Sequence, residues 1–199
     1  IDNLLLYIFK YLGIKEIYKL SGAQAIALMA YGGRIVKKVS KIFGPGNIYV
    51  TSAKKIVFGK VGIDSLAGPS EVAIIADSTA SPEFIASDLL SQAEHDPNAK
   101  SILITDNNEL AAKTIRNIFL QIDSIRAEHK ERFNSELVMK CVKDNCKIIV
   151  CPDIKIACGV SDIIAPEHLE IMTSEPFSTL QYVKNGGSIF LGSYTPVAV

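Results

Sequence analysis

Hydrophobic residues fall into two kinds of segment along this chain. Val72–Asp77 (VAIIAD), Ser101–Thr105 (SILIT) and Lys147–Val150 (KIIV) are short apolar runs of strand length. Such runs, lacking polar alternation, suit strands buried on both faces of a parallel sheet. Between them lie stretches whose apolar residues recur every three to four positions, the helical period. The best marked runs from Ser81 to Pro97, SPEFIASDLLSQAEHDP. Ser81 suits the N-cap, Pro82 the first helical position, and Glu83 the positive end of the helix dipole. Phe84, Ile85, Leu89 and Leu90, with Ala86 and Ala93 beside them, make the stripe that packs on a sheet.

The same reading predicts helices at Asp2–Leu12, from Ser21 and Gly22 to Gly32 and Gly33, and at Ile48–Phe58, Asn108–Ile122, Ile154–Val160 and Phe177–Val183. A charged, solvated helix is expected across Asp123–Asp144, with Phe133, Leu137, Val138 and Cys141 on its apolar side. Further strands are expected at Lys15–Leu20, Val39–Phe43, Ile171–Thr173 and Ser188–Leu191, with Val61–Leu66 extended. Short Gly and Pro turns join these elements, and strands alternating with helices argue an α/β fold with a mostly parallel sheet in each of two lobes. A Gly-Pro turn feeding the buried strand at Val72 marks the boundary, giving lobes at 1–70 and 71–199.

Composition narrows the function. The 199 residues carry 21 Lys plus Arg and 21 Asp plus Glu, so the formal charge is zero, which argues against a nucleic-acid groove or a polybasic membrane surface. Apolar residues make up 48% of the chain, yet no run approaches the ~18 that a spanning helix needs, so a soluble globular protein is expected. The first residue is Ile1 and no signal peptide is legible, so the chain reads as beginning inside a longer gene product or as having lost its start. Cys141, Cys146, Cys151 and Cys158 fit no metal or redox spacing; they read as small buried hydrophobes in a reducing cytoplasm.

Four places carry candidate chemistry. Gln92 and His95, i and i+3 at the end of the Ser81 helix, can reach one divalent metal; equally, His95 can simply complement the helix dipole. Gly44-Pro45-Gly46-Asn47 is either a tight turn or a phosphate or nucleotide contact, with Asn47 able to cap the following helix. Ser21-Gly22 opens a helix whose free N–H groups suit an anion, though no GxGxxG accompanies it. Glu167 and His168 follow Pro166, which keeps Ala165 out of the helical region, so both are expected in a loop or first turn. There they form either an acid/base pair or two surface residues at an element boundary. His129, among Glu128, Lys130 and Glu131, reads as solvated.

Four motifs together resemble histidinol dehydrogenase: SGAQAIA with Gln24, FGPGNIYVTSAK with Asn47, AGPSE running on to LLSQAEHDP, and APEHLE. The resemblance extends from about Lys15 to the C-terminus. It implies NAD- and zinc-dependent oxidation of L-histidinol to L-histidine through the aldehyde, the last steps of histidine biosynthesis, in a cytoplasmic enzyme that is a homodimer when full length. By resemblance Gln24 and Asn47 contact NAD, and Ser70, Gln92, His95 and His168 bind substrate. Gln92 and His95 are zinc ligands, and Glu167 and His168 the catalytic pair. Two further zinc ligands, an aspartate and a histidine, follow a segment like GSIFLGSYTPVAV in that family, and an NAD-contacting tyrosine precedes the segment resembled here. Asp162 stands where the family usually has asparagine. The expected architecture is therefore two incomplete Rossmann-like lobes, and the chain alone is expected to be inactive and to bind zinc poorly. The alternative is a non-catalytic ligand- or partner-binding remnant of the same fold.

Overall fold

A computed structural model of the protein describes residues 2–64, 66, 71–95, 98–128 and 134–197, without the side chain of His95. The chain forms two compact units, Ile1–Gly68 and Pro69–Val199.

In the first unit, helix α1 (Asn3–Tyr11) starts where the Asp2 carboxylate accepts the Leu4 N–H at 2.7 Å, and none of its residues is buried. The strand expected at Lys15–Leu20 is not formed. Its β-compatible sequence finds no neighbouring strand among the described residues, and its side chains are all exposed; Leu20 N–H donates instead to the Tyr18 carbonyl at 2.9 Å. Helix α2 (Gly22–Tyr31) follows, then strand β1 (Lys41–Ile42), helix α3 (Ile48–Val57) and strand β2 (Gly62–Ile63). β1 and β2 pair in parallel with α3 as their crossover. Ile26, Ala30, Ile42, Val57 and Val61 form the core.

The second unit contains β3 (Glu71–Ala76), α4 (Pro82–His95), β4 (Lys100–Thr105), α5 (Asn108–Glu128), α6 (Ser135–Asn145), β5 (Cys146–Val150), α7 (Ile154–Ile164), β6 (His168–Met172), α8 (Pro176–Leu180) and β7 (Ser188–Leu191). Its five strands are all parallel in the order β5-β4-β3-β6-β7, so the winding reverses between β3 and β6 as in a doubly wound sheet. Alternate residues of β3 explain the two layers. Val72, Ile74 and Ala76 pack with Ile85, Leu89 and Ala93 of α4, beside α5 and α6, while Ala73 and Ile75 pack with Ala157 and Cys158 of α7.

Caps set the helix starts. Ser81 Oγ accepts the Phe84 N–H, Asn107 accepts from Leu110, Asn134 from Leu137 and Asp153 from Ile156. The single helix expected over Asp123–Asp144 is instead the end of α5 and the separate α6, which Asn134 starts afresh. It is not wholly solvated either, since Val138 and Cys141 are buried against α4. Phe133 and His129 lie outside the described residues. The four cysteines form no disulfide, and three of them are buried. Among the described residues, no helix is long and apolar enough to cross a membrane.

Candidate active site

β6 begins three residues earlier than the strand expected at Ile171–Thr173. His168 is its first residue, paired with Val72 of β3 on one side and Ser188 of β7 on the other, so it is part of the sheet and not of a preceding loop. The lead-in is locked to β7: Ser188 N–H donates to the Glu167 carbonyl at 2.8 Å and Gly187 N–H to the Pro166 carbonyl at 3.0 Å. A Cβ on Gly187 would stand 2.5 Å from the Glu167 carbonyl oxygen, so only glycine allows that approach. Ala165 closes α7 in the left-handed conformation at φ 50°, the one non-glycine residue with positive φ among those described. That is how the chain leaves the right-handed helical region before Pro166, rather than by extension. Asp162 accepts the backbone N–H groups of Lys184 and Asn185, a task an asparagine oxygen performs equally well.

The Glu167 side chain is exposed, and that of His168 is half-buried, 6.1 Å from the Phe190 ring centroid to centroid. Nδ1 of His168 is buried without a hydrogen-bond partner. His168, Glu170 and Met172 alternate onto the sheet face that α4 covers, and Gln92 of α4 is 2% exposed there. Because α4 returns antiparallel to the strands, its last turn, with Gln92 and His95, lies at the edge where β3 and β6 begin. Glu71 opens β3 and holds Lys100 of β4 at 2.8 Å. Ser70, just before it, lies outside the described residues.

Two acids that the sequence reading did not assign lie deeper on this face. Glu170 is 1% exposed; its Oε1 accepts the Val197 N–H at 3.1 Å, and its Oε2 has no hydrogen-bond partner. Burial, and then the neighbouring Asp88 carboxyl, push Glu170 up to about 8, and burial also raises Asp88. One proton between the two carboxyls satisfies an oxygen that a second carboxylate cannot. The signal was a charged residue inside the apolar run HLEIM, and an aspartate one turn before Gln92 on the helix.

In the first unit, Asn47 caps α3, its Oδ1 accepting from Tyr49 and Val50 at 3.1 and 3.2 Å. Gln24 is exposed in the first turn of α2, which packs beside α3. Both amides thus stand at helix N-termini, where N–H groups favour an anion such as a dinucleotide phosphate. Among the described residues, no three His, Cys, Asp or Glu gather to hold a metal. Two side chains such as Gln92 and His95 would by themselves fill half of a tetrahedral set.

A family model described as histidinol dehydrogenase matches residues 1–199. The chain belongs to the histidinol dehydrogenase family. It is 48% identical to a histidinol dehydrogenase of Clostridium acetobutylicum over 184 residues, covering 92% of this chain and 41% of that protein. A histidinol dehydrogenase of Methanothermobacter thermautotrophicus is 50% identical over 186 residues, 94% of this chain and 42% of the relative. The crystal structure of histidinol dehydrogenase from Elizabethkingia anophelis superposes with a TM-score of 0.83 at 38% identity, over 96% of this chain and 43% of that one. The chain thus spans about two fifths of the histidinol dehydrogenases it matches.

Proposed function

We propose that this chain is part of an NAD- and zinc-dependent enzyme that oxidises L-histidinol to L-histidine in two steps through the aldehyde. What supports the reading, beyond family membership, is the half-buried His168, whose Nδ1 lacks a partner on the sheet face that α4 and Gln92 cover. His168 accepts the proton of the substrate hydroxyl as its carbon gives up hydride. Glu167, exposed beside it, takes a proton from the water that adds to the aldehyde, and the hydrate then loses the second hydride. Gln92 and His95 are the zinc ligands of this chain, and with Ser70 and His168 they hold the substrate. Gln24 and Asn47 hold NAD. When bound, NAD takes up the hydrides and zinc orients the substrate's nitrogen atoms. Residues 1–70 contribute to one nucleotide-binding-like lobe and 71–199 to a second that carries the zinc and catalytic motifs. The working enzyme is a cytoplasmic homodimer, and the 199-residue chain alone, with two of four zinc ligands, is inactive.

The test is zinc-dependent NADH formation from L-histidinol by the protein encoded in the whole reading frame around this chain. Glu167→Gln and His168→Ala are each expected to lower kcat by about 10²-fold or more. A fully folded, zinc-loaded protein that forms no NADH would make the chain a ligand- or partner-binding remnant instead.

A further inference from the structure

The first unit buries a lysine in a place where stability gives little reason for one. Lys54 is 2% exposed, beside a core that among the described residues has five buried apolar side chains. A buried ion pair is commonly no more stable than the apolar residues that replace it, so its location is the informative feature. Lys54 lies seven residues after Asn47, two turns along α3 and on the same helix face. Its ammonium donates to the Gly44 carbonyl at 2.7 Å and pairs with Asp64, just past β2. The other oxygen of Asp64 accepts the Gly44 N–H at 2.7 Å, and the Asp64 N–H donates to Ile42 at the end of β1. One ion pair therefore holds both backbone groups of Gly44. Gly44 has φ +124°, a conformation that glycine adopts freely and side-chain-bearing residues rarely do, so the chain can turn here and the ion pair bonds both of its backbone groups.

From Gly44 only Pro45, with its fixed φ, and Gly46 lead to Asn47. A Cβ on Gly46 would meet the Val50 side chain at 2.5 Å, so this step is packed against the helix as well. At the far end Asn47 spends its oxygen on the helix cap, which leaves its amide N–H groups as what it offers a ligand. We propose that the Lys54–Asp64 ion pair is a positioning device for nucleotide binding, fixing the Gly44–Asn47 turn so that the Asn47 amide points to the dinucleotide. The proposal rests on the reading of Asn47 as an NAD contact. Neither Lys54 nor Asp64 touches the dinucleotide; both act through Gly44.

The experiment uses the intact enzyme and compares Asn47→Ala, Lys54→Met, Asp64→Asn and the double variant Asn47→Ala/Lys54→Met. The readouts are NAD affinity by equilibrium titration, KM for histidinol, and hydrogen exchange at the Gly44 amide. Lys54→Met and Asp64→Asn should each weaken NAD about tenfold, leave the KM for histidinol unchanged, and speed exchange at Gly44. The double variant should bind NAD no worse than the weaker single one, because both changes act through one turn. Asp64 is partly exposed, so Asp64→Asn keeps the test open if Lys54→Met does not fold. If Asn47→Ala weakens NAD but the two ion-pair variants do not, or if the losses in the double variant multiply, the positioning role is overturned while the dinucleotide reading stands. If Asn47→Ala leaves NAD affinity untouched, the dinucleotide reading itself fails and takes this proposal with it.

Discussion

The second unit covers both faces of a five-stranded sheet with helices, whereas the first has a two-residue strand pair, a small core and a leading helix with no buried residue. Among the described residues each unit buries one charged side chain, and the two are treated differently. Lys54 in the small unit is fully engaged, with a carboxylate and a carbonyl. Glu170 in the large unit sits beside a second acid, Asp88, and is held there as a neutral carboxyl. A large core tolerates such a group by holding it neutral, since a protonated carboxyl is far cheaper to bury than an ion. A small core with little apolar burial has no such margin, so its ammonium must be matched. This buried acid pair also lies on the face of the candidate site, where departures from local rules are most often functional.

Truncating the large core tests this contrast most severely. Leu103→Ala, at a fully buried position in β4, is expected to cost about 2–5 kcal/mol in urea unfolding, and Ile26→Ala in the first unit less than that. An equal or greater loss at Ile26 would mean that the small unit is not the weakly packed one. The next effect concerns Glu170. Its carboxyl lies at about 8 in the folded protein against an ordinary 4.5, so between those values the folded form keeps a proton that the unfolded form has lost. Stability therefore falls as pH rises from about 4.5 to about 8, and is unaffected by this group below that window. Glu170→Gln should flatten the dependence, gaining roughly 1–3 kcal/mol on the wild type at pH 8 compared with pH 4. Parallel melting curves for the two proteins across that range would show Glu170 to be matched after all. The smallest effect is expected at Ala165, where Ala165→Gly relieves positive φ and should stabilise by about 0.5 kcal/mol in the same unfolding assay.

The parts of this fold legible in sequence are those that local chemistry decides. Ser81, Pro82 and Glu83 announced α4, and the unbroken runs at Val72 and Ser101 announced central parallel strands, because caps and full burial leave marks at short range. What failed depended on neighbours. Lys15–Leu20 has strand-like residues and, among the described residues, no strand to pair with, while His168 joins β6 because β3 and β7 flank it, not because of its own propensity. The site followed the same division. Asn47 and the Gln92–His95 spacing could be picked out from helix geometry. The Asp88–Glu170 and Lys54–Asp64 pairs join residues 82 and 10 positions apart, and the former at least is beyond any local pattern.

The candidate residues of the second unit gather where its strands begin, while the opposite edge is finished by local caps: Asp77 holding Thr79 and Ser174, Asn107 holding Leu110, Asp153 holding Ile156. The sheet between them works as an insulator some five residues thick. Lengthening a connection on the capped edge shifts no strand start, so that edge is free to diversify, to accept an inserted segment or to acquire a regulatory neighbour. The edge that begins with Glu71, His168 and Ser188 has no such latitude, since a one-residue slip of β6 against β3 and β7 turns the His168 imidazole to the other side of the sheet.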